Sequence, residues 1–554
     1  MTGSFRQRMA SLHTWAGLLV CWLLLLMFTS GTASYFRDEI NLWMKPELHG
    51  AAMRPASATQ AGIAAVQVLQ QRAAQAKHWF ITLPTARTPY SRATWSGPDG
   101  KLHTALIDPA TGAELPAARD THAGAFLSRL HFDLHYVPPQ TGRWIAGLCA
   151  MVLLVSLVSG VIIHRRIFRD FFTFRPGKGA RSWQDAHNAA GVFALPFHLM
   201  ITYTGLVTLM FMVMPSAGQA VYKDDKGALL SEIHPSVGKP AKAAGVPAPL
   251  APIGPVLDQA QRHWHGRAAG TIGIANPNDV NARISVTRAA GGDLSNKQPA
   301  MQFDGASGAL LATKGDDASA AQGTTVPATK GGGVGTGMAQ GSAVPASSAD
   351  TTSMALATHG VLYGLHIARF AEPLLRWLFF ISGLAGTAMV ATGALLWAAK
   401  RQRQSGAGAR LVHGLNIGCI AGLPIAYGAY FWANRLLPLE LAQRADREVA
   451  VFFAAWGAAL LLAQWRPGRA MWRWQLACGA LLLGGLPVLN AVTTSTHALA
   501  VITRHAAPLS VAAFDMTVLA LGASLAVAAA RLGRQPKRTP ETLAPLSAMR
   551  EVSK

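Results

Sequence analysis

Histidines at the ends of long apolar runs are the side chains of this sequence best placed to do chemistry. His13, His164 and His187 stand at one end of the first four such runs, and His131, His135, His359 and His366 at the other. His198 lies inside the third run, in Leu195-Pro196-Phe197-His198-Leu199-Met200. On a helix, His187 and His198 fall about 20° apart in azimuth and about 16 Å apart along the axis, so they share one face at two depths. A neutral imidazole offers a metal its lone pair, and polar groups inside a bilayer are costly unless satisfied or used. Haem iron accepts imidazole from two facing helices while the macrocycle fills the apolar gap between them. Two layers of histidine therefore point to two b-type haems and an electron path across a membrane. No Ser-His-Asp constellation, HExxH, Walker A loop or nucleotide fingerprint accompanies them. The sequence leaves the pairing open. Pseudo-symmetry suggests His13 with His187 and His135 with His366. His164 and His198, whose counterparts by repeat position are the apolar Trp397 and Leu24, allow His187 with His164 or His198 with His366.

The elements that must position these histidines are membrane helices. Of the 554 residues, 51% are hydrophobic and 14% charged, against about 25% charged in soluble domains. That composition excludes both an ordinary soluble protein and a disordered one. Eight runs nearly free of charge, at 14–36, 142–163, 187–213, 374–398, 411–433, 449–464, 474–491 and 509–530, read as spans. The net charge of +22 would by itself suggest a nucleic-acid partner. Its distribution says otherwise. Segments 1–13, 164–186, 399–412, 465–474 and 531–554 hold 21 Lys and Arg against four acids, and the rest of the chain 28 against 23. The five segments lie at alternate helix ends, as the positive-inside rule requires. Both termini are thus expected in the cytoplasm of a bacterium, in a multi-pass inner-membrane protein that contacts lipid and no nucleic acid. The basic stretch from Arg165-Arg166 to Arg181 reads first as a topology and lipid anchor.

Two long loops, 37–141 and 214–373, fall outside. Each carries a helical stretch (Ala61–Ala76; Pro255–His265) followed by strands: Trp79–Leu83, Ala93–Trp95 and Leu102–Ile107 in the first, Thr271–Ile274 and Ala282–Thr287 in the second. Each ends in an Asp/Gly turn, Asp108-Pro109-Ala110-Thr111-Gly112 and Asp304-Gly305-Ala306-Ser307-Gly308. Residues 315–350 are rich in Gly, Ala, Ser and Thr and read as a disordered linker. The first four helices are two copies of one unit. Leu12-His13-Thr14-Trp15-Ala16-Gly17 matches Ala186-His187-Asn188-Ala189-Ala190-Gly191. Each copy then reaches a hydroxyl residue and glycine, Ser30-Gly31 or Thr204-Gly205. Leu134-His135 before Arg143-Trp144 matches Leu365-His366 before Arg376-Trp377, and each Arg leads to Ser159-Gly160 or Thr392-Gly393. The copies have the same orientation, as parallel repeats do. The expected fold is an all-α polytopic membrane protein of about eight helices with two small α+β outer domains. Residues 399–530 form an added four-helix module and 531–554 a tail. Cys21, Cys149, Cys419 and Cys478 lie in apolar runs and read as buried hydrophobes, without a CxxC or CxxCH motif. Asp515 in the last span is a functional candidate or an interfacial carboxylate.

With these motifs the chain resembles the PepSY-associated transmembrane proteins, also called iron-regulated membrane proteins. The likeness covers roughly 1–400: Leu12-His13-x-Trp15-x-Gly17, Asp185-x-His187 with Leu195-Pro196 and Thr204-Gly205, and Asp108-Pro109-x-Thr111-Gly112. Some members are similar to di-haem b proteins that reduce ferric siderophores in the periplasm. The resemblance implies haem roles for His13, His135, His187 and His366, with His164 and His198 as further candidates. It also implies a ferric siderophore or other iron chelate as substrate, and a separate electron donor, either quinol or a cytoplasmic reductase. The alternative it carries is a non-enzymatic PepSY-bearing sensor or accessory part of an iron-uptake system. The four helices after about 405, and Gly305 where the turn motif has proline, depart from the family pattern.

Overall fold

The computed structural model describes residues 4–97, 99–164, 174–213, 216, 242–295, 298–314, 354–401, 406–498, 500 and 508–534. Arg165-Arg166, the 315–350 linker, His505 and most of the tail lie outside the described residues. Helix α1 (Phe5–Ser34) opens on a capping box in which Ser4 accepts from the Gln7 amide. It leads through α2 (Arg37–Trp43) and the short α3 (His49–Ala52) to α4 (Ala58–Arg72), the strands β1 (His78–Thr82), β2 (Ser91–Ser96) and β3 (Leu102–Ile107), helix α5 (Ala123–Asp133) and the span α6 (Pro139–Ile163). The second copy runs through α7 (Ala180–Phe193), α8 (Leu195–Thr208), α9 (Ile253–His263), β4 (Ala269–Ala275), β5 (Arg283–Arg288), β6 (Ala300–Asp304), β7 (Leu310–Lys314), α10 (Met354–Ile367) and the span α11 (Pro373–Lys400). The C-terminal module is α12 (Ala407–Ile420), α13 (Gly422–Leu436), α14 (Arg444–Trp465), α15 (Arg469–Gly484), α16 (Leu486–Thr493) and α17 (Leu509–Gly533).

Among the described residues, seven spans are long and apolar enough to cross a bilayer, counting α12 with α13 and α15 with α16. The third expected span is broken: α7 and α8 meet at 69°. Pro196 sits in the first turn of α8, where its missing N–H and its ring prevent the preceding helix from running straight through. All eight expected spans correspond to these elements. Cys478 departs from expectation, since it is exposed on α15 whereas the other three cysteines are buried.

The two α+β units join into one sheet, ordered β3-β2-β1-β4-β5-β6-β7 and antiparallel throughout. The seam pairs Trp79 with Ile274 and Ile81 with Ile272. Period-2 alternation sends these four, with Ala93, Ile107, Ile284, Val286 and Phe303, to a single face. That face is covered by α4 and α9, which present Ala61, Ala65, Leu69, Val256, Leu257 and Ala260. Both predicted turns form alike. Gly112 (φ +72) and Gly308 (φ +74) donate to Asp108 and Asp304 four positions back, and the Asp side chains cap the turn amides of Ala110 and Ala306. Gly305 stands where proline would because its N–H donates to Ala282 O at 2.8 Å and a Cβ there would run into Ala282.

Candidate functional site

Four histidines are seated by one device used four times. In a helix each carbonyl bonds the amide four residues on, and keeps a second lone pair at its side. A side chain at that fourth residue ordinarily shields it. In four places the residue is glycine, and an imidazole takes the opening. His13 Nδ1 donates to Ser156 O at 2.9 Å beside Gly160. His187 Nδ1 donates to Met389 O at 2.8 Å beside Gly393. His131 Nδ1 donates to Met27 O at 2.8 Å beside Gly31, and His366 Nδ1 to Ile201 O at 3.1 Å beside Gly205. A Cβ on Gly31 would lie 2.7 Å from His131 Nδ1, and Cβ atoms on Gly160, Gly393 and Gly205 would stand 3.3, 3.1 and 3.0 Å from the facing Cε1. Each glycine follows a hydroxyl residue that bonds the same carbonyl: Ser159 at 3.0 Å, Thr392 at 3.1 Å, Ser30 at 3.3 Å and Thr204 at 3.3 Å. The four hydroxyl–glycine dipeptides that mark the sequence repeat are therefore the histidine cradles.

The cradled rings face each other in two pairs. His13 and His187 have ring centroids 6.1 Å apart, His131 and His366 6.2 Å. Their planes are inclined at 74° and 25°. The first pair lies at the end of the helices away from the sheet, the second on the sheet side. On α1 the two levels are marked by His13 and by Met27, about 21 Å apart along the axis. A neutral imidazole that donates through Nδ1 keeps its lone pair on Nε2, the arrangement of metal-bound histidines oriented by a carbonyl. Two imidazole nitrogens each about 2 Å from one metal put ring centres roughly 6 Å apart, which is the centroid separation of both pairs. Around the distal pair is a cavity of about 320 Å³, within the roughly 300–1,000 Å³ of small-molecule sites. It is lined by Leu24, Leu153, Leu157, Val390 and Met389, with Lys400 and Arg401 among its polar residues. Arg401 lies over the Trp397 ring at 4.2 Å and the Trp15 ring at 5.6 Å. On the sheet side, α5 and α10 are short helices outside the spans. Burial holds His131 below the ordinary imidazole range. Burial, and then the neighbouring His131, push His366 down to about 3.

The remaining expected residues take other places. His135 does not meet His366; the pairing expected from pseudo-symmetry is formed by His131. The helix ends at Asp133, and the chain turns through Leu134 (φ +53) and Tyr136 (φ +59), which swings His135 against Phe126, Tyr136 and Phe453. The sequence held the signal for both outcomes, since Leu130-His131 and Leu134-His135 both precede Arg143. Only the helix end separates them. His164 lines the distal cavity. His198 is fully buried, with Nε2 3.3 Å from Ser382 O and its ring against Phe28 and Phe197. It lies between the layers, three residues before the Ile201 carbonyl, and neither His164 nor His198 replaces a member of the two pairs. His359 contacts Phe211 and Tyr363. Asp185 accepts from Arg175 at 2.8 and 2.9 Å at the start of α7. Asp515 is not an exposed interfacial carboxylate. It is fully buried and accepts from Trp43 Nε1 at 2.9 Å and Asn490 Nδ2 at 3.0 Å.

Comparison with known proteins gives two findings. A family model described as the PepSY-associated TM region matches residues 10–400. An uncharacterized protein of Pseudomonas aeruginosa is 26% identical over 377 residues, which is 66% of this chain and 84% of that protein. All four cradled histidines fall inside the matched stretch, and helices α12–α17 fall beyond it.

Proposed function

We propose that this chain, which belongs to the family of the PepSY-associated TM region, is an inner-membrane haem b oxidoreductase. In this reading it passes electrons outward to a ferric siderophore or other iron chelate in the periplasm. The support is the double use of one cradle: two pairs of imidazoles, each ring with Nδ1–H engaged by a carbonyl, at two levels of one helix bundle. One-electron transfer is the chemistry a b-type haem supplies at each pair. The chain's own residues do the rest. The carbonyls fix the tautomer and the ring plane, and the hydroxyls of Ser159, Thr392, Ser30 and Thr204 fix the carbonyls. Leu24, Leu153, Leu157 and Met389 keep the distal cavity apolar, while Lys400 and Arg401 offer cations for carboxylate groups of a bound cofactor. Outside, Fe(III) held by hard oxygen ligands takes one electron and becomes Fe(II), which those ligands hold far more weakly. The donor is separate, a quinol or a cytoplasmic reductase. In this reading the basic segments and both termini lie in the cytoplasm, as the positive-inside rule favours, and the distal pair is the electron entry and the sheet-side pair the exit.

The test is the visible spectrum of the purified protein, oxidised and dithionite-reduced, with pyridine haemochrome quantitation. Two b haems per chain are expected. A fully folded, colourless protein from haem-replete cells sinks the reading.

A further inference from the structure

Residues beyond 400 are outside the stretch that defines the family, yet they grip the helix that carries His131. We propose that the C-terminal module positions α5, and through it the sheet-side histidine pair. The consequence for electron transfer rests on the reading above; the positioning itself does not.

The module converges on the residues that lead into α5. Asn434 O accepts from Arg119 Nη1 at 2.8 Å. The backbone of Asp120 accepts from Arg444 Nη1 at 3.1 Å, and its carboxylate accepts from the Ala445 amide at 3.2 Å. Thr121 Oγ1 donates to Glu448 at 2.5 Å, His122 Nε2 meets Asp446 at 2.9 Å, and Tyr430 Oη donates to Ala123 O at 3.0 Å. Each contact joins α13 or α14 to one of five consecutive residues. Behind the contacts, Arg444, Glu448 and Asn434 are fully buried and bonded to one another. A buried ion pair contributes little net stability but fixes geometry, because either charge left alone is costly. Ala123, at the start of α5, has φ +44, a conformation a non-glycine residue keeps only where its surroundings over-determine it. Next in line, Phe126 packs its ring against Tyr430, Phe452 and Phe453 at 5.0, 5.4 and 6.2 Å.

His131 lies about 140° around the helix from Phe126, on the side facing α1. An 11-residue helix gripped on one face thus presents its histidine on the other. Its far end is fixed by Asp133, which pairs with Arg143 at 2.8 Å. The two faces form one rigid body, so a shift of the Phe126 contact moves the imidazole.

The test uses the full-length protein and hydrogen exchange, which reads helix order whether or not a cofactor is bound. Tyr430→Phe removes the donor to Ala123 O and Glu448→Gln weakens the Thr121 and Arg444 contacts. Both should speed exchange across 123–133 about tenfold, with α10 unchanged. Gln475→Met is the control, because it breaks a buried bond inside the module, to Ala459 O at 2.7 Å, without touching α5. In haem-loaded protein Tyr430→Phe and Glu448→Gln should shift the midpoint potential or low-spin signal of one haem and spare the other. Unchanged exchange in α5 overturns the proposal, and so does equal loosening of α5 and α10, or a Gln475→Met effect as large as that of Tyr430→Phe. A parent protein without haem would end the electron-transfer reading while the exchange result still decides the positioning.

Discussion

The two copies of the repeat seat their histidines by the same cradle but hold the carrier helices differently. Helix α5 packs along α1, α2 and α6 and is held by the C-terminal module at Ala123 and Phe126, with a strained start at Ala123 and a buried ion pair behind it. Helix α10 instead packs along α8, the helix that supplies the carbonyl for its own histidine. Histidine geometry is thus a property of the repeat and is duplicated with it, whereas the stiffness of the mounting comes from whatever packs on the outside of each copy. The distal pair differs again, because His13 and His187 sit on the spans themselves and need no separate carrier.

Removing the paired histidines is the largest perturbation of that comparison. With one haem at each pair, as proposed, His187→Ala should cost the distal one and His366→Ala the sheet-side one, each halving the haemochrome yield, whereas His135→Ala should cost neither. Loss of haem on replacing His135 rather than His131 would falsify the pairing. Next comes the mounting: Arg444→Met leaves Glu448 buried without its cation, and should destabilise the protein by about 3–5 kcal/mol, read as a drop in the thermal midpoint in detergent. The cradle follows. Gly31→Ala forces a methyl against the His131 ring, and should weaken haem retention at the sheet-side pair about 10–100-fold. Gly160→Ala, where the Cβ would have 3.3 Å of room, should have the smaller effect, measured as haem transfer to apomyoglobin.

The smallest expected effect is one of pH at the neck between the sheet and the spans. His49 is buried, its Nε2 donates to Leu42 O at 2.8 Å and its Nδ1 accepts from Thr496 Oγ1 at 2.5 Å. Burial pushes its pKa down to about 4, with the Leu42 carbonyl pulling weakly the other way. In the unfolded chain the ring takes a proton near pH 6.5, so its stabilising effect is complete above that pH. It is lost as pH falls from about 6.5 to about 4 and is flat below, where both states are protonated. Thermal midpoints of wild type and His49→Gln should therefore converge over that window. Parallel curves would remove His49 from the account.

Much of the architecture is legible in the residues. Apolar runs nearly free of charge leave a bilayer as the only solvent that accepts them, so the spans follow from composition and length. Period-2 patterns and the Asp/Gly turns mark the strands, and the spacing of His13 and His187 from their hydroxyl–glycine partners marks the repeat. The break in the third span is written in Leu195-Pro196. Harder to read is the choice of His131 over His135. Both follow a leucine and precede Arg143, and the two differ only in falling before or after a helix end set by a left-handed residue, Leu134, that carries no special side chain. The meaning of Ser30-Gly31, Ser159-Gly160, Thr204-Gly205 and Thr392-Gly393 is likewise hidden, because a bare carbonyl is visible in sequence only as a missing Cβ.

What the sequence determined by itself is what local chemistry determines: which segments leave water, where the chain turns, and that one histidine-bearing unit occurs twice. Tertiary structure decided which histidines face each other, that the two α+β units close into one sheet through Trp79 and Ile81, and that Asp515 is buried beneath Trp43. These depend on contacts between residues hundreds of positions apart. Their energy comes from shape and from buried polar pairing, and neither is encoded in the period of a single segment.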